Sequence, residues 1–144
     1  MRIPVKNFTP NRSQRRAKKT NSDLTIHIAE SRYSDEYFDL YTRYLASRHK
    51  NAGMDNPDRA DFERFLISDW CDTLFCELRM QGELVAVAVT DRVSTGLSAV
   101  YTFFNPELSQ RSLGTVAVMN QIELAANLKL PFVYLGYWID VAAK

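Results

Sequence analysis

The middle of the chain contains three consecutive segments rich in β-branched, aromatic and other apolar residues. They read TLFCELRM, ELVAVAVTDRV and LSAVYTFF, and they cover residues 73–80, 83–93 and 97–104. The dipeptide Gln-Gly separates the first two segments, and Ser-Thr-Gly separates the last two. Runs of this length between short, glycine-containing breaks are typical of strands joined by tight turns. The pattern predicts an antiparallel meander of three strands.

A strand and two helices are predicted before this meander. In DLTIHIAES, Leu24, Ile26 and Ile28 alternate with polar residues, and this alternation predicts a strand with His27 on its opposite face. SDEYFDLYTRYLASRHKN then has Ser34 at an N-cap position and apolar residues at helical spacing, namely Tyr37, Tyr41, Tyr44 and Leu45. A second helix is expected after Asn56-Pro57, with one apolar stripe made of Phe62, Phe65, Leu66 and Trp70.

The C-terminal part adds one more helix and one more strand. TVAVMNQIELAANL is rich in strong helix formers, and LPFVYLGYWI is an apolar, aromatic run that follows Pro131. The predicted order is strand, helix, helix, three antiparallel strands, helix, strand. This order fits the layout of GNAT acyltransferases better than a Rossmann or a ferredoxin-like order. We therefore expect an α+β, GNAT-like fold with a mixed, mostly antiparallel sheet flanked by helices.

Length and composition fit one soluble domain. The chain has 144 residues, of which 46% are hydrophobic, and no run approaches the roughly 20 apolar residues of a membrane helix. Nothing in the sequence directs the protein out of the cell, so we expect it in the cytoplasm. Cys71 and Cys76 have no metal-ligand spacing around them and are expected to be two buried thiols, without a metal site.

The net charge of +1 is unevenly distributed along the chain. Residues 1–24 carry seven Lys and Arg residues and one acidic residue, whereas the remainder is acidic. SQRRAKK, which could form a short helix behind a Ser13 cap, contains the densest part of this charge. Clustered basic residues suit RNA phosphates, and a solvated, partly disordered terminus is the alternative. The candidate RNA-binding residues are Arg15, Arg16, Lys18 and Lys19.

The segment FFNPELSQRSLGT ends one apolar run and starts the last predicted helix. The first amide groups of a helix lack intrahelical acceptors, and the helix dipole is positive there, so anions bind at this end. Arg111 and Gly114 match the acetyltransferase pattern of Arg or Gln, two residues, then Gly, but Val116 replaces the small residue that should follow. Ser112 and Thr115 could cap the helix or donate to phosphate oxygens. An ordinary capped helix start would look similar.

Two further pairs of residues are candidates for the reaction centre. Arg48 and His49 lie at the end of the first long helix, where the helix dipole alone would favour a cation. Tyr101 and Tyr137 lie in strand patterns that core packing explains, yet either could carry a hydroxyl to a site in the sheet.

Three stretches of the chain resemble one family. FTPNRSQRR, AVAVTDRVSTGLSAVYTFFNPELSQRSLGT and LPFVYLGYWI are similar to the aminoacyl-tRNA–protein transferases, most closely to the bacterial aspartate/glutamate leucyltransferases, which are related to arginyl-tRNA–protein transferases. The likeness runs from about residue 2 to 139. It implies that residues 1–24 are a basic arm or edge segment that follows a cysteine-rich region of the family. Residues 25–144 would be the GNAT-like transferase domain, truncated at its C-terminus.

The resemblance also implies a reaction and roles for the candidate residues. Leucine would pass from leucyl-tRNA to the N-terminal Asp or Glu of a protein and mark it for degradation, with aminoacyl-tRNA as co-substrate and no cofactor in this chain. The tRNA would be held by residues of the basic segment and of the last helix start, namely Arg15, Arg16, Lys18, Lys19, Arg111, Ser112, Gly114 and Thr115. Tyr101 and Tyr137 would be catalytic, and Arg48 and His49 would bind the acceptor.

Three alternatives remain open at this point. An acyl-CoA-dependent N-acyltransferase is favoured by the order of elements and disfavoured by Val116 and the basic segment. A non-catalytic module could bind RNA or acidic N-termini without turnover. An arginyl-tRNA donor is the third alternative, because no residue visibly shapes a pocket for the transferred side chain.

Overall fold

The computed structural model describes residues 1–48, 57–67 and 72–135. The described strands are β1 (Arg2–Pro4), β2 (Leu24–Glu30), β3 (Asp72–Met80), β4 (Glu83–Val93), β5 (Gly96–Phe104) and β6 (Phe132–Leu135). The described α-helices are α1 (Arg12–Thr20), α2 (Asp35–Arg48), α3 (Arg59–Leu66) and α4 (Leu113–Asn127), and a 3-10 helix spans Pro106–Arg111.

The described strands form one sheet in the order β1-β6-β5-β4-β3-β2. The pairs β1–β6, β2–β3, β3–β4 and β4–β5 are antiparallel, whereas β5 and β6 run parallel and are connected through α4. The predicted meander over β3, β4 and β5 is confirmed. The predicted α+β, GNAT-like class is confirmed as well, since helices cover a mixed, mostly antiparallel sheet.

Helices pack on both faces of the sheet. Residues of α2 and α3 form the largest buried cluster with Phe75, Val87 and Phe103. On the other face, Ala17 of α1 and Leu113 of α4 pack on the inner strands. Successive apolar side chains along a strand therefore point alternately into two cores, as expected for a sheet that is buried on both faces.

The N-terminal segment is an ordered part of this fold. Strand β1 pairs with β6, and the amide of Val5 donates to the carbonyl of Pro131 at 2.9 Å. Val5 and Phe8 pack against the cluster around Leu97, and β1 is the outermost strand on this side of the described sheet.

Helix α1 begins two residues earlier than a Ser13 cap would allow. Asn11 is the N-cap, and its side chain accepts from the amide of Gln14 at 2.8 Å while the Gln14 side chain accepts from the Asn11 amide at 2.8 Å. This reciprocal pair is a capping box and satisfies two otherwise free donors. The cap prediction failed because Asn and Ser are about equally good caps, and Gln three residues later decides between them.

The predicted start of α2 is confirmed and that of α3 is shifted. The hydroxyl of Ser34 accepts from the amide of Tyr37 at 3.1 Å, as an N-cap does. Helix α3 is capped by Asp58, two residues after the expected Asn56, because Asp58 and Asp61 form a capping box. Asn56 and Trp70 lie outside the described residues.

Two carboxylates and one guanidinium tie α2 to β3. Arg79 donates from Nε to buried Glu77 at 2.9 Å, and its terminal nitrogens donate to Glu36 at 2.8 and 2.9 Å. The hydroxyl of Tyr37 donates to the other oxygen of Glu77. Burial, followed by the bond to Glu77, raises the pKa of Tyr37. This network pairs the buried charge of Glu77, which would be costly to bury alone. We therefore assign the network a structural role.

Candidate functional site

The loop before α4 is anchored to the sheet at Asn105. The Asn105 amide donates to the carbonyl of Val85 at 2.9 Å, and its side chain accepts from the amide of Glu107 at 3.0 Å. Asn105 is thus the cap of the 3-10 helix, and Pro106 occupies the first helical position, where its missing N–H costs nothing. The Asn-Pro pair therefore sets the direction in which the chain leaves β5.

Ser112 turns the chain into α4 through an unusual backbone conformation. Its φ and ψ are 57° and 46°, in the left-handed region, directly after the right-handed 3-10 turn that ends at Arg111. A right-handed residue followed by a left-handed one directs successive amide groups into a shared concavity that suits an anion. The Ser112 side chain is exposed and makes no capping hydrogen bond within the described chain. The amides at the start of α4 are therefore not capped by it.

Gly114 leaves open space beside the first turn of α4. A Cβ placed on Gly114 would meet no described atom within 4 Å, and its backbone is helical. The fold thus does not require glycine here, either for packing or for conformation. Thr115, next along the helix, is half-buried. A ligand that approaches the backbone closely is a physical reason for glycine at such a position.

Val116 explains the departure from the acetyltransferase pattern. Its side chain is buried and packs with Ala17 of α1 and with Leu78 and Val85 of the sheet. This residue therefore faces α1 and the core. A large side chain at position 116 fills the contact between α1 and α4, and it does not mark a blocked site.

The guanidinium of Arg111 lies away from the exposed tip of the loop. It donates to Asp23 at 3.1 Å and to the sulfur of Met80 at 3.6 Å, and the side chain is 21% exposed. The hydrogen bond from Arg111 lowers the pKa of Asp23. The Arg111 side chain is therefore partly buried, and its carboxylate partner lies in the turn between α1 and β2. Its contribution to tRNA binding stays a prediction.

Helix α1 presents a basic face on the same side of the sheet as α4. Ala17 is buried against α4, and the opposite face carries residues at spacing i, i+3, i+4 and i+7, all exposed, namely Arg12, Arg15, Arg16 and Lys19. We call these four residues the basic face. Lys18 lies to one side of it, 3.6 Å from Glu123 of α4. The structure thus brings together the basic segment and the helix start that the sequence singled out separately.

Tyr101 lies in an aromatic cluster on the other side of the sheet. Its ring centre is 5.1 Å from that of Phe65, 6.1 Å from that of Tyr44 and 6.3 Å from that of Tyr41. The register of β4 and β5 shifts between Val89 and Thr90, which leaves Val100, just before Tyr101, as the extra residue of a bulge. Bulges redirect side chains and are common next to active sites.

The hydroxyl of Tyr101 is held in its neutral form. Burial, and then the neighbouring Tyr44 and Tyr41, raise the pKa of Tyr101. Burial also raises the pKa of Tyr44, which the nearby Arg48 opposes. At neutral pH Tyr101 is therefore a hydrogen-bond donor and not a base.

Arg48 belongs to the same cluster. Its guanidinium lies 5.4 Å from the centre of the Tyr44 ring, which in turn contacts Tyr101. Two residues predicted for the acceptor site and for catalysis are thus linked through Tyr44, which the sequence analysis assigned to the core. The helical spacing of Tyr44 in the sequence indicated no functional role. The predicted partners His49 and Tyr137 lie outside the described residues.

The described residues contain neither a cluster of metal ligands nor a helix that could span a membrane. In residues 1–48, 57–67 and 72–135, no group of three His, Cys, Asp or Glu side chains is placed to hold a metal ion. Cys76 is a buried free thiol, as predicted, and burial raises its pKa; Cys71 is not among the described residues. None of the described helices combines the length and the apolar character needed to cross a bilayer.

The fold is similar to that of solved structures of low sequence identity. The structure of L-PGS from Bacillus licheniformis aligns with a TM-score of 0.68 over 94% of this chain and 43% of that chain, at 13% identity. A C-terminal domain assigned to a lysylphosphatidylglycerol synthetase of Agrobacterium fabrum aligns with the same TM-score over 94% of this chain and 45% of that one, at 14% identity. At this identity the likeness supports the fold alone.

Curated relatives of high identity cover almost the whole chain. The aspartate/glutamate leucyltransferase of Stenotrophomonas maltophilia K279a is 50% identical over 96% of this chain and 58% of its own length. Those of Alcanivorax borkumensis SK2 and Pseudomonas fluorescens Pf-5 are 49% and 51% identical over 99% of this chain, and 59% and 61% of their own lengths. The chain thus spans about three-fifths of these relatives.

The family described as "Arginine-tRNA-protein transferase, C terminus" matches residues 36–144. This range includes the aromatic cluster around Tyr101 and the whole loop that leads into α4. The chain therefore belongs to the family of the arginine-tRNA-protein transferase C-terminal domain.

Proposed function

We propose that this chain is the transferase domain of an enzyme that moves leucine from leucyl-tRNA to the N-terminal Asp or Glu of a protein. The observation that carries the proposal is the junction of two anion-binding features on one side of the sheet. The basic face of α1 is solvent-exposed, and the opposite face of α1 packs through Ala17 against Leu113 and Val116, which flank Gly114 in α4. The curated relatives are named aspartate/glutamate leucyltransferases, which supports leucine as the transferred group and aspartate or glutamate as the acceptor.

The tRNA end would be bound by charge and by backbone amides together. Arg15, Arg16 and Lys19 would neutralise phosphates of the acceptor stem, a contact that does not depend on sequence. The amides at Ser112, Gly114 and Thr115 would receive a phosphate near the 3′ end, where the helix dipole is positive. A single coenzyme A molecule would not need charge along the whole of α1. The basic face therefore favours a nucleic acid over the acyl-CoA alternative, whereas Val116, being in the core, does not decide between them.

The acceptor would enter on the side of Tyr101 and Arg48. Arg48 is exposed, and its guanidinium, next to the Tyr44 ring, offers paired donors that suit a carboxylate. Arg48 would therefore bind the side chain of an N-terminal Asp or Glu. The bulge at Val100 would allow the reacting ends of donor and acceptor to meet beside β5.

The chemistry needs alignment more than activation. The neutral α-amine, with a pKa of about 8, attacks the ester carbonyl of the leucyl group, and the C–O bond to the ribose then breaks. An amide forms, the ribose hydroxyl leaves, and the amine proton passes to that oxygen. A neutral Tyr101 would donate a hydrogen bond to the oxyanion or to the departing oxygen. The product carries a new N-terminal leucine, which would mark it for degradation in the cytoplasm.

The decisive experiment is transfer of labelled leucine by the intact protein. Leucyl-tRNA and arginyl-tRNA would be compared as donors, with peptides that begin with Asp, Glu or Ala as acceptors. We expect incorporation only from leucyl-tRNA and only into the acidic peptides. Incorporation from arginyl-tRNA instead would reassign the donor. Tight binding of coenzyme A without binding of tRNA, or RNA binding without incorporation, would overturn the proposal.

A further inference from the structure

Asn21 connects the C-terminal end of α1 to the loop that starts α4. It is the C-cap of α1 and is buried, with an exposed fraction of 5%. Its side-chain nitrogen donates to the carbonyl of Ala17 at 2.8 Å and to that of Arg111 at 2.7 Å, across 90 residues of sequence. One side chain therefore bonds both the helix that bears the basic face and the residue before Ser112.

This contact requires a side chain with at least two N–H donors. Both neighbouring atoms are carbonyl oxygens, and the side-chain nitrogen of Asn21 donates to both at once. The side-chain oxygen of Asn21 is buried without a partner among the described residues. A buried, unpaired oxygen costs stability. The two donated bonds offer a reason for keeping asparagine here despite that cost.

A second contact acts on the same loop residue. Asp23, two residues after Asn21, accepts from the guanidinium of Arg111 at 3.1 Å. The main chain and the side chain of Arg111 are thus both held by the turn between α1 and β2. Because Ser112 must adopt a left-handed conformation immediately afterwards, a fixed Arg111 determines where the amides of Ser112 and the next residues point.

We infer that Asn21 is a positioning residue for tRNA binding, a role that rests on the function proposed above. It fixes the Arg111–Ser112 turn to the end of α1, so that the basic face and the amides at the start of α4 form one rigid surface. Without this link the phosphates held by α1 and the phosphate held by α4 would no longer be in register. Binding would then lose affinity although every positive charge is retained.

The test uses Asn21→Ala in the intact protein, with Ile122→Ala as a control. Ile122 is buried in a different cluster, to which neither Asn21 nor the loop belongs. It also takes part in none of the described hydrogen bonds that hold the loop. The loss of two buried bonds predicts a KM for leucyl-tRNA about tenfold higher, with kcat and the salt dependence of binding nearly unchanged. The control should leave KM unchanged at a comparable loss of melting temperature.

Hydrogen exchange supplies a readout that does not depend on tRNA. Amides of residues 111–115 should exchange faster in Asn21→Ala than in the wild type and in Ile122→Ala. Unchanged exchange there would overturn the positioning role, whatever tRNA binding does. Faster exchange with an unchanged KM, or a fall in kcat alone, would overturn it too. If the wild type binds no tRNA, the proposed function fails and this role fails with it, while the exchange data still report whether Asn21 holds the loop.

Discussion

The guanidinium of Arg111 lies 3.1 Å from the carboxylate of Asp23, although sequence reasoning placed the two residues in unrelated segments. The Arg111 side chain is 21% exposed and Asp23 is 49% exposed, so solvent screens this pair in part. The pair closes the turn between α1 and β2 onto the loop before α4. Arg111 matches an anion-binding motif, yet its guanidinium pairs with a carboxylate of the same chain.

The first prediction concerns this ion pair and pH. Asp23→Asn should lower the melting temperature at pH 7, because it removes the charge that Arg111 faces. The pKa of Asp23 is lowered in the folded protein. The stability that the pair contributes is therefore fully present above the unfolded pKa of about 3.9, and it is lost as the pH falls through the folded pKa. Thermal melts from pH 7 to pH 2.5 should show the difference shrinking with acid. A constant difference would contradict the ion pair as its cause.

The second prediction concerns Gly114. Gly114→Ala should leave the melting temperature unchanged or raise it, since a Cβ meets open space and alanine is favoured over glycine in a helix by about 1 kcal/mol. Binding of tRNA should nevertheless weaken, because a phosphate would approach the backbone there. Fluorescence titration with leucyl-tRNA measures this effect.

Gly96→Ala is a useful contrast for that experiment. A Cβ on Gly96 would overlap the carbonyl oxygen of Phe132, so this variant should be strongly destabilised. If Gly114→Ala binds tRNA as tightly as the wild type, the ligand does not reach the start of α4.

The sequence predicted the elements well because their hydrophobic periods are long and regular. It predicted contacts between distant segments poorly. Asn21 is a polar residue in a turn-like stretch, TNSDL, and no local pattern indicates that its side chain reaches a carbonyl 90 residues away. Val116 departs from a ligand-binding pattern in the sequence, whereas tertiary packing on Ala17 determines its size.

The solvent exposure of some side chains could not be predicted from the sequence either. The strand pattern of Ile26 and Ile28 correctly predicted β2, but the two side chains are 49% and 45% exposed. Strand β2 lies at the edge of the sheet, next to β3 only among the described strands. Alternation identifies a strand and its two faces, and it does not say how far the covering helices extend over each face.

The third prediction concerns the basic face. Arg15→Gln together with Arg16→Gln should reduce the slope of log Kd against log salt concentration by about 1.5, because each released phosphate contact contributes about 0.7 to 0.9. The matched control is Arg59→Gln with Arg64→Gln, which removes the same charge from exposed residues of α3. Equal effects of the two double variants would mean that net charge alone matters.

The fourth prediction concerns the hydroxyl of Tyr101. Tyr101→Phe keeps the packing with Phe65 and Tyr44, so kcat should fall by about ten- to a hundredfold with little change in KM. Tyr41→Phe is the control from the same cluster. Because the pKa of Tyr101 is raised, the wild-type rate should climb through the amine pKa near 8 and show no decline from tyrosine ionisation up to pH 10. A decline between pH 9 and 10 that disappears in Tyr101→Phe would contradict the neutral hydroxyl.

The last prediction concerns Arg48 as the residue that recognises the acidic N-terminus. Its guanidinium is held near the ring of Tyr44, and Tyr44 contacts Tyr101, so a carboxylate bound there would place the adjoining α-amine close to the proposed reaction centre. Arg48→Gln should raise the KM for peptides beginning with Asp or Glu by about tenfold or more, since a charged hydrogen bond is replaced by a neutral one. The KM for leucyl-tRNA should stay the same. Arg43→Gln, on the same helix and paired with Asp39 at 3.2 Å, is the control. If both variants change the KM for the acceptor peptide equally, other residues select the acidic N-terminus. If only Arg48→Gln accepts a peptide beginning with Asn or Gln better than the wild type does, the charge of Arg48 determines the choice.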